Sequence, residues 1–229
     1  MASPTKKRAT TWFWLPLALL IAVVIVSWAA IGPTKRSVIQ FWLSDLAQTD
    51  DSLGLALGTS SIYRLDFDEY LECRQWLNRG LENATVSDLL MYLRWTPIRS
   101  EPPIVLVYAG ENSIANERSV SATAKDMHEL LQILAKRFPQ AETHVIAIKP
   151  SPARFAFWSD FRELNGTLLE VITKMKRSGA ALYFHQPDWG PSDEASHQAF
   201  VSDGVHLTHD GYRIFTSGVS NECQRLQGE

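Results

Sequence analysis

Pro103-Ile104-Val105-Leu106-Val107-Tyr108-Ala109-Gly110-Glu111-Asn112 is the stretch that decides the fold. Its first half is an unbroken apolar, β-branched run between a proline and a glycine, which reads as a strand buried on both faces. Its second half sets an acid and an amide just past the end of that strand. The same alternation repeats outward from here. Toward the amino terminus, Ser87 to Trp95 repeats leucines at helical spacing, 75–81 forms a weaker strand, 61–74 a helix, and Leu53–Leu57 a short apolar strand ending at Gly58. Toward the carboxyl terminus, 120–138 is an amphipathic helix through Met127, Leu130, Leu131 and Leu134, and Thr143–Ile148 is a strand stopped by Pro150. A helix over 161–177 ends near Gly179, a fifth strand covers 180–184, and 209–226 is the terminal helix. Short apolar strands alternating with helices predict one α/β domain over 53–229, a three-layer α/β/α sandwich around a mainly parallel sheet of about five strands.

The chain has 229 residues, 45% hydrophobic and 21% charged, which excludes a collagen, a coiled coil and a disordered chain. Its formal charge of −3 is unevenly spread. Residues 1–36 hold Lys6, Lys7, Arg8, Lys35 and Arg36 and no acid, leaving 17 basic against 25 acidic residues, a net −8, for the remainder. So acidic a body lacks the footprint for a phosphate backbone, and nucleic acid is not an expected partner.

Trp12 to Ile31 is a run of twenty residues without a charge. At ~1.5 Å of rise per residue it matches the ~30 Å hydrocarbon core of a bilayer. Pro16 falls near its start, and Trp12, Trp14 and Trp28 lie near its ends. Residues 1–11 read as a basic cytoplasmic tail, 12–31 as a transmembrane anchor or uncleaved signal, and 32–52 as a linker and entry helix. The catalytic body would then lie outside the cytoplasm, as a single-pass membrane protein. A secreted form after cleavage at Ser27-Trp28-Ala29 competes with this. Cys73 and Cys223 are the two cysteines, and an oxidising compartment would permit one disulfide that sequence alone does not establish.

In a parallel sheet of this kind, sites form at the carboxyl ends of the strands. The first strand ends in Gly58-Thr59-Ser60-Ser61, the third in Ala109-Gly110-Glu111-Asn112, and Asp203-Gly204-Val205-His206 precedes the terminal helix. A serine hydroxyl becomes a nucleophile when a base takes its proton and a carboxylate orients that base. Ser60, His206 and Asp203 supply those three groups, and Asn112 offers an amide donor to a developing oxyanion. Ser61 takes the role of Ser60 if the turn is shifted by one residue; otherwise it caps the helix that follows.

These residues resemble the SGNH (GDSL-type) hydrolases. Gly58-Thr59-Ser60, Gly110-Glu111-Asn112 and Asp203-Gly204-Val205-His206-Leu207-Thr208, with Gly211-Tyr212 after them, fall in that family's order and spacing over roughly 53–217. The resemblance implies a flavodoxin-like sheet and a serine esterase with Ser60 as nucleophile, His206 as base and Asp203 as its orienter, and no cofactor or metal. It implies an oxyanion hole of the Ser60 N–H, Asn112 and a second-block donor. That block is Arg79-Gly80-Leu81-Glu82-Asn83-Ala84-Thr85, which sets Asn83 where the family has glycine, with Gly80 as the fallback. Asn tolerates unusual backbone angles better than most residues. The substrate the resemblance implies is a small O-acyl ester, acetyl by the family's pattern, on a small molecule or an envelope glycan. An envelope acyltransferase using the same triad, or a silent glycan-binding scaffold, is the alternative. Gly110 and Arg154 are expected at the substrate; Arg154, in the rigid stretch Lys149-Pro150-Ser151-Pro152-Ala153-Arg154, meets substrate polar groups or an acidic neighbour, against a plain rigid turn with a surface salt bridge. In a flavodoxin-like winding the first and last helices share a sheet face, which would bring Cys73 and Cys223 together.

Other groups rank lower. His185, His197, His206 and His209 with Asp188 and Asp203 are too irregularly spaced for a metal site. His128 and His144 read as surface or core histidines, and Glu111 as a solvated loop acid ahead of a group that supports Asn112 from behind. Phe155, Phe157, Trp158 and Trp189 lie on loops near the proposed edge, where a sugar or acyl pocket competes with packing on the sheet. The oligomeric state is not legible.

Overall fold

The computed structural model describes residues 14–190 and 198–225. Five parallel strands form one sheet in the order β2-β1-β3-β4-β5: β1 Gly54–Gly58, β2 Trp76–Gly80, β3 Ile104–Tyr108, β4 Glu142–Ile146 and β5 Leu182–His185. Helices α1 Trp14–Ala30, α2 Pro33–Asp45, α3 Ser60–Tyr63, α4 Phe67–Tyr70, α5 Val86–Trp95, α6 Glu111–Ala115, α7 Val120–Arg137, α8 Trp158–Arg177 and α9 His209–Arg225 surround or precede it, with a 3₁₀ turn at Pro152–Phe157. This is the α/β/α sandwich expected. The winding reverses direction between β1 and β3, where the strand order makes a crevice at the carboxyl edge.

Every residue of β1 and β3 is buried, and the period of two sorts their side chains into two cores. Leu55, Leu57, Val105 and Val107 face one layer, where Leu89, Leu93, Leu130, Leu134, Leu164 and Leu168 of α5, α7 and α8 meet them. Ala56, Leu106, Tyr108 and Ile146 face the other, against Ile62, Phe67, Phe215 and Val219.

Two sequence expectations change. The helix expected over 61–74 is two single turns, because Asp66 accepts hydrogen bonds from the Asp68 and Glu69 N–H groups and starts a new helix. Cys73 therefore lies in a turn rather than in a helix. It is nonetheless joined to Cys223 of α9, with Cα atoms 5.6 Å apart, in the ordinary range for a disulfide.

The second change concerns 32–52, which is docked rather than a linker. Buried Asp45 at the end of α2 receives Arg79 Nε at 3.0 Å, Tyr92 Oη at 2.6 Å and Thr96 Oγ1 at 2.5 Å. Trp42 Nε1 donates to the Tyr92 carbonyl at 3.1 Å, and the Arg79 guanidinium lies 4.7 Å from the Phe41 ring. Sequence reading sees no partner for a lone aspartate 34 residues before its arginine.

Among the described residues no helix is long and apolar enough to cross a membrane. The described part of the charge-free run is the 17-residue α1, with Leu19, Leu20 and Val26 among its exposed side chains. Trp12, the basic tail 1–11 and His197 lie outside the described residues.

Two measurements test this packing. Asp45→Ala strands a buried Arg79 and is expected to cost about 3–5 kcal/mol in denaturant unfolding. In β4, fully buried His144 shares a 2.9 Å hydrogen bond with His185, and burial followed by the neighbouring imidazole pushes its pKa down to about 3. The unfolded chain then takes up this proton at a higher pH than the folded one, so folding stability falls as pH drops from about 6.5 toward 3. His144→Gln is expected to flatten that slope in thermal melts across pH 7 to 4.5.

Candidate active site

Gly58 ends β1 where the chain turns sharply into α3. A Cβ there would lie 2.3 Å from Ile62 Cγ1 and 2.6 Å from the Tyr108 carbonyl oxygen, so only glycine permits the turn. Thr59 N–H donates to the Tyr108 carbonyl at 3.2 Å, and Ser60 follows as the first residue of α3, 6% exposed. Gly80 allows α3 to lie on β2: its missing Cβ would sit 2.2 Å from the Tyr63 nitrogen.

Asn112 stands in α6, one residue into the helix that follows β3 at Gly110. Its Oδ1 accepts from Arg154 Nη2 at 2.7 Å and its Nδ2 donates to the Ala84 carbonyl at 2.9 Å. The two bonds fix which end of the amide points where, and one Nδ2 hydrogen is left over. Asn83 adopts φ 55°, the left-handed conformation that glycine usually fills. Among the described residues neither the Ser60 nor the Asn83 backbone N–H has a protein partner. The Gly80 N–H, the fallback, is occupied by Asn78 Oδ1 at 2.8 Å.

Asp203 and His206 form their own unit. His206 Nδ1 lies 2.6 Å from Asp203 Oδ2, while Oδ1 of the same carboxylate accepts the Val205 N–H at 2.8 Å and the His206 N–H at 2.9 Å. These hydrogen bonds, the imidazole's first, hold the Asp203 carboxyl well below the usual range. The unit is tied to the loop after β4, because the Ala153 N–H donates to the Gly204 carbonyl at 3.1 Å.

Beneath these groups lies a buried polar network that sequence reading missed. Glu111 is no solvated loop acid: it is fully buried against fully buried Lys149, at 2.7 Å, and accepts from Tyr108 Oη. Lys149 Nζ also donates to Ser61 Oγ at 3.0 Å and Tyr108 Oη at 3.2 Å. Burial raises the Glu111 carboxyl, but Lys149 and Arg154 outweigh it and leave the group below its ordinary pKa. Burial pushes the Lys149 ammonium down against the pull of Glu111. Ser61 Oγ thus accepts from Lys149 and does not cap α3. The one available signal was the pairing of an acid after β3 with a lysine after β4, two adjacent strands.

Arg154 does not reach into open solvent. It spans Asn112 and Glu111, with Nη1 3.4 Å from Glu111 Oε1, which makes it a brace behind the amide. Gly110 has φ +121°, and a Cβ there would meet Ile148 and Leu164 in the core. Among the lower-ranked groups, Trp158 and Trp189 line a cavity of about 300 Å³ with Phe161 and Arg162, Phe157 stacks on Phe161, and Phe155 is 70% exposed. The described histidines are dispersed: His206 pairs with Asp203, His209 with Glu69 and Tyr70, and His185 with His144.

The comparisons with known proteins bear on the fold and the family. Among solved structures, the chain is similar to a family 3 carbohydrate esterase of Clostridium thermocellum (15% identity, 77% of this chain and 99% of that one, TM-score 0.61). It is similar too to a GDSL-like lipase of Bacteroides thetaiotaomicron (15%, 82% and 98%, TM-score 0.66). A member of the lipolytic G-D-S-L family from Veillonella parvula aligns at 15% identity over 76% of this chain and 99% of that one, TM-score 0.60. At such identities the likeness is one of fold. A search of curated protein sequences found no match. The model of the GDSL-like lipase/acylhydrolase family matches residues 60–214, more than half of the chain. With that match added to the sheet and to the groups along its carboxyl edge, the chain belongs to the GDSL-like lipase/acylhydrolase family.

Proposed function

We propose that the chain is a serine esterase that hydrolyses small O-acyl esters, acetyl in the first instance, on a glycan outside the cytoplasm, anchored by its apolar amino-terminal segment. The observation that carries this reading is the 2.6 Å Asp203–His206 pair, tied through Ala153 to the loop that braces Asn112, along the edge where Ser60 begins α3. The Nδ1 hydrogen bond leaves Nε2 as the basic nitrogen of His206. Ser60 Oγ attacks the ester carbonyl carbon while its proton passes to that nitrogen. The oxyanion forms against the Ser60 and Asn83 N–H groups and the free Nδ2 hydrogen of Asn112. Collapse expels the alcohol, which takes the proton from His206, and leaves an acyl-Ser60. Water, deprotonated by the same imidazole, releases the acid and restores Ser60. A sugar hydroxyl in place of water makes the same chemistry a transfer, which product analysis separates.

The Cys73–Cys223 disulfide supports an oxidising compartment, and so a body outside the cytoplasm. The twenty charge-free residues support the anchor.

With a short-chain aryl ester, Ser60→Ala is expected to bring turnover to background; undiminished activity contradicts the nucleophile. Asn112→Ala is expected to lower kcat by about 10²–10³. Arg154→Ala, which frees the amide without removing it, is expected to lower kcat about tenfold with KM little changed. A change confined to KM would instead place Arg154 at the substrate.

A further inference from the structure

We infer that the catalytic edge faces the bilayer, an inference that rests on the anchor and the site proposed above. The anchor enters the body at that edge. Ile31 and Gly32 alone separate α1 from α2, so Ala30 and Pro33 are at most ~10 Å apart. At the start of α2, Thr34 Oγ1 donates to the Glu82 carbonyl at 3.2 Å, in the loop that presents Asn83. Pro33, Thr34, Ser37, Tyr63, Glu82 and Asn83 line one small cavity of about 110 Å³. Tyr63 ends the helix that Ser60 begins. The other end of α2 is locked by Asp45, so the helix has no freedom to carry the anchor to the opposite side of the sheet.

The surface of this edge agrees. Tyr63 (52% exposed), Phe155 (70%) and Val201 (39%) lie within three residues of Ser60, Arg154 and Asp203 in the chain and offer apolar groups to an interface. Exposed Lys35 follows the anchor, where an ammonium meets anionic head groups.

The test uses the full chain in phosphatidylcholine vesicles containing a lipid spin-labelled on its head group. Cys73 and Cys223 are joined, so a thiol-reactive fluorophore reads only an introduced cysteine. Tyr63→Cys reports the catalytic edge and Trp95→Cys, 72% exposed at the far end of α5, the opposite edge. Quenching at least threefold stronger at 63 than at 95 is expected. Equal or reversed quenching, or a chain that alkaline carbonate strips from the vesicles, overturns the inference. Turnover of a soluble aryl ester by the same preparations reads the site separately: its loss refutes the esterase reading, whereas its persistence with equal quenching refutes only the orientation.

Discussion

The buried ion pair between Lys149 and Glu111 holds the candidate site together. Glu111 belongs to the turn after β3 and Lys149 to the turn after β4, while the same ammonium reaches Ser61 after β1. Three neighbouring strand ends are thereby fastened at one point below the surface. The other links run upward from it. Arg154 leans on Glu111 and fixes the amide of Asn112, and Ala153 beside it holds the loop of Asp203 and His206. Two desolvated charges are costly unless each finds its partners, and here Tyr108, Ser61 and Arg154 complete the set. Such a pair adds little to stability over an apolar equivalent; what it adds is a single geometry for the turns that present the reacting groups.

The same economy of position appears at the amino-terminal side. Asp45 gathers Arg79, Tyr92 and Thr96 from β2 and the end of α5, which turns an expected tether into a rigid strut. Because α2 is fixed at both ends, the direction in which the body hangs from its apolar segment follows from the fold rather than from a flexible joint. Topology and chemistry converge on one edge, where the loop of Asn83 meets the first turn of α2.

Much of this was legible in the residues. The strands announced themselves because a parallel sheet buries both faces and so writes itself as unbroken apolar runs, as in Ile104–Tyr108. Ser60, Asn112, Asp203 and His206 were singled out because strand ends locate sites and because their order resembles a known family. What escaped was long-range pairing of charges. Glu111 read as a solvated acid, since nothing local tells that Lys149 arrives from 38 residues away. For Arg154 the sequence offered a substrate group or an acidic neighbour without saying which acid, and Glu111 is that neighbour. The break in the helix expected over 61–74 depends on Asp66 turning its side chain to the backbone, a competition between local hydrogen bonds that periodicity does not register.

The account stands on Ser60 as an activated nucleophile among these groups. Reaction of the intact chain with a fluorophosphonate, followed by peptide mass spectrometry, reads that directly. The prediction is one phosphonyl adduct on the peptide bearing Ser60, strongly reduced in His206→Ala and absent in Ser60→Ala. An adduct on Ser61, or none on either serine in the folded wild-type chain, would contradict it.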